Sequence, residues 1–418
     1  MEKRMGGVME GSLQKRACEL VGEYRGVKKV ALSYSGGLDS AVVGALLSRC
    51  GLEILPVAVD LGQKSDFAKI RKNSEKLFGS FVFIDAKEEF ADSIHRLLKA
   101  NFESRNDGGV SRPVIAHALS KAAREHGCQA IAHGSSGVGN EHLIMENSLR
   151  VLAPEMRIMA PVRDLDMRRD ESVSFAVAER LPVNMKRASS FSADENLWVR
   201  TMRQGLLAES GKRLPEDLYK WTVSPEKAPS KPSDIVVEFK DGIPMGVVID
   251  GKKTTGNVNV IGALNRIGGN HGVGREEGMD EKAAGLKIHE AYERPAAAIL
   301  LKAHKRLEEL TLTTKELDAK KQIEAIWGRL VHDGGWHTRL RRCLDSYIDC
   351  ASHPVEGKVS VRLYKGCASV GMVESRHALY DKRLSGRDRK GVFSQKEARH
   401  FAKLYGLQDT IAYLMDAD

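Results

Sequence analysis

The chain has 418 residues, 42% of them hydrophobic and 29% charged, which is enough for two cores of ordinary size and excludes a single small module. No run reaches the length of a membrane span and the opening MEKRMGGVMEGSLQKR lacks the apolar stretch of a signal peptide, so the cytoplasm is the expected compartment. The formal charge of +9 comes without an arginine-rich tail or an aromatic-interleaved basic run, which suits a soluble surface or phosphate-bearing small molecules better than nucleic acid.

In chain order, residues before about 28 read as an amphipathic helix ahead of the first strand. Short β-branched runs then alternate with stretches of helical spacing. The runs are KKVALSY (28–34), EILPVAVD (53–60), SFVFIDA (80–86), QAIAHGS (129–135) and RIMAPV (157–162); between them lie SAVVGALLSRC, FAKIRKNSEKLF and VIAHALSKAAREHG. That alternation predicts a parallel, doubly wound sheet with helices on both faces and ligands at the carboxyl ends of its strands. After about residue 186 polar loops (KRASSFSADEN, SPEKAPSKPS) precede a hairpin, DIVVEFKDGIPMGVVIDGKK. Two long helices follow, AAAILLKAHKRLEEL and KELDAKKQIEAIWGRLVHD, the second opened by a Thr313/Glu316 capping box. KVSVRLYKGCASVGMV then alternates like strands, and KEARHFAKLYGLQDTIAYLM closes the chain as a helix. The six cysteines (Cys18, Cys50, Cys128, Cys343, Cys350, Cys367) include no CxxC pair and predict neither a zinc site nor a disulfide framework.

The sharpest chemical signal is Ser33-Tyr34-Ser35-Gly36-Gly37-Leu38-Asp39-Ser40, between the first strand and the first helix of the sheet. Its glycines let the backbone pass close to a phosphate, while Ser35, Ser40 and the helix-start amides supply donors. Asp39 repels phosphate by itself, so its use is to hold the Mg²⁺ that accompanies a nucleotide. A bare glycine turn would account for SGG alone, but SGGxDS at this point of a doubly wound sheet has the pattern of the ATP pyrophosphatase loop, which cleaves ATP between its α and β phosphates. Gly246 to Lys252 imitates part of a Walker loop, yet Lys253 stands where a hydroxyl should bind Mg²⁺ and the segment spans a hairpin.

From about residue 28 to the end, the sequence resembles argininosuccinate synthase. The resemblance is carried by SYSGGLDS, AVDLGQ (58–63), Ala132-His133-Gly134 with Gly137, Gly139 and Asn140, FSADENLW (191–198), WTVSPEKAP (221–229), GGNHGVGR (268–275), AYERPAA (291–297), LYKG (363–366) and KLYGL (403–407). It implies an adenine nucleotide α hydrolase-like ATP domain (28–185) after an N-terminal helical extension (1–27). An α+β synthetase and multimerisation domain (186–385) and a C-terminal oligomerisation helix (386–418) follow, in a homotetramer. The implied reaction is attack of a ureido oxygen on the α phosphate of ATP, then displacement of AMP by the aspartate amine, which needs positioning and charge stabilisation but no enzyme nucleophile.

Carried over by position, Ser33 to Ala41 surround the ATP phosphates, with Ser35 and Asp39 closest to the chemistry, and Val59 and Gly134 complete the nucleotide site. Arg112, Ser136, Asn140 and Glu141 form the aspartate site. Asn140, Ile144, Ser192, Thr201, Asp280 and Tyr292 form the acceptor site, and there the sequence departs from the family. Ile144 stands where the family has an arginine, Val138 where it has a lysine, and the segment Arg105 to Ser111 lacks the tyrosine and hydroxyl run. An isoleucine cannot hydrogen-bond a carboxylate, so the expected acceptor is a ureido, carbamoyl or amide compound other than citrulline, unless Arg105 or Arg150 restores the citrulline site. A rival reading is a non-catalytic nucleotide- or RNA-binding relative, opposed by the intact Ser35, Gly36, Gly37 and Asp39.

Overall fold

The computed structural model describes residues 2–103, 108–183, 192–203, 207, 214–384 and 394–416. Five strands, β1 (Lys29–Ser33), β2 (Glu53–Asp60), β3 (Val82–Asp85), β4 (Ala130–Ala132) and β5 (Arg157–Met159), form one parallel sheet in the order β3-β2-β1-β4-β5. Their residues are apolar on both faces because both faces are covered. On β1, Val30 and Leu32 pack with helices α1 (Glu2–Glu23), α2 (Leu38–Arg49) and α8 (Arg169–Ala178), while Ala31 points to the opposite side, toward α5 (Gly108–Glu125) and α6 (Glu141–Leu152). Strand order reverses between β1 and β4, and this switch point opens a crevice at their carboxyl ends, Ser33 and Ala132.

The second half holds two antiparallel sheets. Strands β6 (Ser192–Glu195), β7 (Arg200–Arg203), β11 (Arg275–Glu281) and β12 (Lys287–Glu293) are ordered β11-β12-β7-β6. Strands β8 (Ser233–Lys240), β9 (Ile243–Ile249), β10 (Lys252–Thr255), β13 (Gly357–Tyr364) and β14 (Cys367–Glu374) are ordered β10-β9-β8-β13-β14. The Walker-like segment lies in the β9–β10 hairpin, as its sequence predicts. Long helices Pro295–Thr311 and Thr314–His332 follow β12; Thr313 caps the latter by accepting from the Glu316 amide, and Glu316 reciprocates.

Three features differ from the sequence reading. Ser192 to Glu195, read as polar loop, pair as a strand with β7 at the outer edge of their sheet, where Asp194 and Glu195 line the cleft. The closing helix breaks at Gly406 into Gln395–Tyr405 and Leu407–Asp416. Cys18 and Cys50 form a disulfide between α1 and the end of α2, their Cα atoms 5.1 Å apart; the pair is 32 residues apart in sequence and only packing reveals it. Phe90, Ile94 and Leu97 of α4 (Lys87–Lys99) share one apolar cluster with Ile235, Leu300 and Trp327.

Candidate active site

The phosphate loop is shaped by three local constraints. Tyr34 continues β1 by donating its amide to the Val57 carbonyl at 2.9 Å. Gly36 then turns with φ +70°, and a Cβ there would stand 2.9 Å from Ile70 Cγ1. The Ser35 hydroxyl accepts from the Gly37 amide (3.3 Å), and Ser40 Oγ donates to the Gly37 carbonyl (3.2 Å). No side chain caps the start of α2, so its first amides face the crevice as unpaired donors of positive electrostatic sign.

Gly134, at the end of β4, packs against this loop so closely that a Cβ would meet Asp39 and Ser40 backbone atoms at 3.3–3.4 Å. The two glycine turns thus share one crevice. Asp39 is held by Arg169 on α8, whose Nη1 donates to both carboxylate oxygens at 3.1 Å. Burial nonetheless raises the Asp39 pKa above its ordinary value, against the opposing pull of Arg169.

A cleft of about 930 Å³ runs from this loop to the four-stranded sheet. Its walls include Ser33, Tyr34, Ser35, Gly36, Gly37, Leu38, Asp39, Ser40, Val59 and Gly134, and also Arg112, Ser136, Glu141 and Thr201. Most residues expected for ATP and aspartate are therefore brought together. Ala41 is not: it is fully buried in the first turn of α2, its amide bonded to the Gly37 carbonyl. Asn140 does not line the cleft either; its amide nitrogen donates to the His332 carbonyl (3.3 Å) and its oxygen accepts from Ala283 N (2.8 Å).

The acceptor set is dispersed. Thr201 reaches the cleft, whereas Asp280 lines a separate cavity of about 440 Å³ with Asn101, Glu324 and His332. Tyr292 is fully buried, its hydroxyl donating to Glu290 at 2.7 Å. Ile144 is 2% exposed beneath the Gly334 turn, where a Cβ on that glycine would lie 3.2 Å from the Ile144 Cα. The Ser192 side chain and Arg105 lie outside the described residues. Arg150, the other proposed substitute cation, is exposed and donates to Glu146 at 2.6 Å.

The register explains why these residues still belong to one surface. Thr201 pairs with Tyr292 and Asp194, and Arg203 pairs with Glu290 and Ser192. Residues two apart share a face of a strand, so one face carries Asp194, Thr201, Arg203, Glu290 and Tyr292. Arg203 was not singled out in the sequence, where it is one of 65 basic residues. Its guanidinium donates to Glu141 and, at 2.8 Å, to Asp194. Burial opposes ionisation of Glu141, but Arg203 and Arg112 together hold its carboxyl down at about 2. Nearby, His133 and Arg163 likewise hold the buried Glu146 at about 2.

Comparison with known proteins decides the family. Residues 29–182 match the arginosuccinate synthase N-terminal HUP domain, and residues 191–412 match the arginosuccinate synthase C-terminal domain. The chain is 38% identical to argininosuccinate synthase of Pyrococcus furiosus over 93% of this chain and 95% of that protein. It is 39% identical to that of Methanopyrus kandleri (92% and 99%) and 40% identical to that of Archaeoglobus fulgidus (91% and 97%). The chain belongs to the argininosuccinate synthase family. It is accordingly an ATP-dependent, AMP-forming carbon–nitrogen ligase.

Several of the sequence motifs of the argininosuccinate synthase family are structural in this chain. Glu293 of AYERPAA is buried and accepts from the amides of Lys220, Trp221 and Thr222 and from Arg200, at 2.7–3.0 Å. Arg275 of GGNHGVGR donates to Thr222 Oγ1 at 2.8 Å. WTVSPEKAP is thus clamped to the ends of β11 and β12. Asn196 of FSADENLW accepts from the Trp198 and Val199 amides and fixes the turn between β6 and β7.

Among the described residues no group of three or more His, Cys, Asp or Glu side chains could hold a metal ion. Asp39 offers one carboxylate, which suits Mg²⁺ arriving on nucleotide phosphates and not a free resident ion. No helix is long and apolar enough to cross a membrane among the described residues.

Proposed function

We propose that this ligase joins the amine of aspartate to the carbonyl carbon of a ureido, carbamoyl or amide acceptor other than citrulline. The observation that carries the reading is the single cleft lined both by the Ser33 to Ser40 loop and by Arg112, Ser136 and Glu141. In it the loop amides with Ser35 and Ser40 hold the ATP phosphates, and Asp39 accompanies the Mg²⁺, which neutralises phosphate charge. The acceptor oxygen attacks the α phosphate, pyrophosphate leaves, and the aspartate amine then displaces AMP. Glu141, kept ionised by Arg203 and Arg112, receives the aspartate ammonium and orients it; a carboxyl held at about 2 is too weak a base to take a proton from that group. Arg112 receives an aspartate carboxylate.

The isoleucine at 144, where the family resemblance places an arginine, supports an acceptor other than citrulline. A carboxylate left without its arginine loses roughly 2 to 5 kcal/mol, or about tens to thousands of fold in affinity. The names of the relatives favour a second reading, in which citrulline is the acceptor and another cation meets its carboxylate. Pyrophosphate release with MgATP and aspartate, measured with citrulline and with a panel of ureido, carbamoyl and amide compounds, separates the two. A panel member turned over with citrulline far behind is the expected result; robust citrulline-dependent release with argininosuccinate formed would overturn it.

We propose further that the chain self-associates through its tail. Phe401, Leu404, Tyr405, Ile411, Tyr413 and Leu414 are all exposed on Gln395–Tyr405 and Leu407–Asp416, and a second copy would cover them.

A further inference from the structure

Resting on that reading, we infer that Arg203 is the specificity-determining cation of the acceptor subsite, and that the acceptor carries a carboxylate but no ammonium group. Arg203 lines the cleft two residues beyond Thr201 on the same strand face. Both Arg112 and Arg203 donate to one oxygen, Asp194 Oδ2, at 3.1 and 2.8 Å. Each guanidinium keeps a buried Nε–H without a hydrogen-bond partner. Two largely buried forks therefore share one half-exposed carboxylate, which leaves donors unmet. Asp194 is half exposed, whereas Arg203 is largely buried, donates also to Glu141 and stands 3.8 Å from Glu290. A substrate carboxylate exchanging with Asp194 takes the place of a side chain and meets a guanidinium that is already positioned.

The ammonium end is closed by different chemistry. Asp280, expected in the acceptor set but lining the separate cavity, is bonded to Lys282, which is 2% exposed and also donates at 3.1 Å to Glu290, the carboxylate beside Arg203. Tyr292 spends its hydroxyl proton on the same Glu290. Both carboxylates are thus already engaged, and an acceptor ammonium finds neither of them free to pair with it. Recognition shifts from a zwitterion to an anion.

Three matched probes read this directly with the full chain, MgATP and aspartate: 5-ureidopentanoate (carboxylate only), citrulline (carboxylate and ammonium) and pentylurea (neither). The expected kcat/KM for 5-ureidopentanoate exceeds each of the others by about ten-fold or more, the effect of one differential charged contact. Arg203→Gln is expected to collapse the ratio of 5-ureidopentanoate to pentylurea toward one, and Arg203→Lys to restore part of it. Because Arg203 also holds Glu141, both substrates suffer equally from any loss there and the ratio is insensitive to it. A ratio unchanged in Arg203→Gln would overturn this assignment alone, whereas citrulline as the best of the three would overturn both the assignment and the proposed acceptor. Pyrophosphate release with none of the three would overturn the assignment and remove ureido compounds from the proposed acceptor class.

Discussion

At Gly36 the backbone and its surroundings exclude any side chain: φ is +70°, and Ile70 Cγ1 fills the space a Cβ would need. Gly36→Ala is expected to cost roughly 1 to 2 kcal/mol in loop strain alone and to raise the KM for ATP more than it lowers thermal stability, as steady-state kinetics beside a melting curve would test. Glu141 and Glu146 provide a second check. Both are held at about 2 in the folded chain, below their ordinary value of 4.5. Lowered pKa values mean that their contribution to stability is complete above about 4.5 and is lost as pH falls from there toward 2. Acid melting curves are expected to flatten over that window in Glu141→Gln, whereas an unchanged slope would mean that Glu141 is not paired as described. The same residues mark what a sequence conveys at this scale. Ser35, Gly36, Gly37 and Asp39 were legible because loop chemistry is contiguous in the chain. Arg203 was not, since its partners Glu141, Asp194 and Glu290 come from three separate segments that only the fold assembles.

Among the elements, β1 to β5 and α2, α3 (Phe67–Phe78) and the long pair after β12 were readable because each carries its own periodicity or cap. Phe67–Phe78 matches its sequence run from end to end, with Asp66 accepting from Lys69 N as its cap. Strand β6 lines the cleft with Asp194 and Glu195, and β11 carries Arg275, Glu276, Glu277, Asp280 and Glu281, so SADE and REEGMDE lack the alternation of a half-buried strand. The α1 helix lies outside the segments matched by the family and is tied to α2 by Cys18–Cys50. A cross-link spanning about 30 residues stabilises by roughly 3 kcal/mol on chain-entropy grounds. Reduction, or Cys18→Ser, is therefore expected to lower the melting temperature by several degrees with little change in KM for ATP, since the cysteine lies at the far end of α2 from the phosphate loop.

For the whole molecule, the apolar face of the tail is the feature that an isolated chain leaves uncovered. Deleting residues 394–418 is expected to reduce the particle mass in multi-angle light scattering to a smaller assembly, with the cleft still able to bind ATP; an unchanged mass would remove the tail from the interface. The site itself joins two halves of the sequence, for the cleft takes Ser33 to Ser40 from one and Thr201 and Arg203 from the other. That union is why the nucleotide chemistry could be read from one loop while the acceptor could not. The most direct test of the central claim follows one atom. With the best ureido acceptor labelled with ¹⁸O at its carbonyl oxygen, the account predicts that the label appears in AMP, because that oxygen forms the bond to the α phosphate and leaves with it. Unlabelled AMP, or ADP and orthophosphate in place of AMP and pyrophosphate, would contradict it.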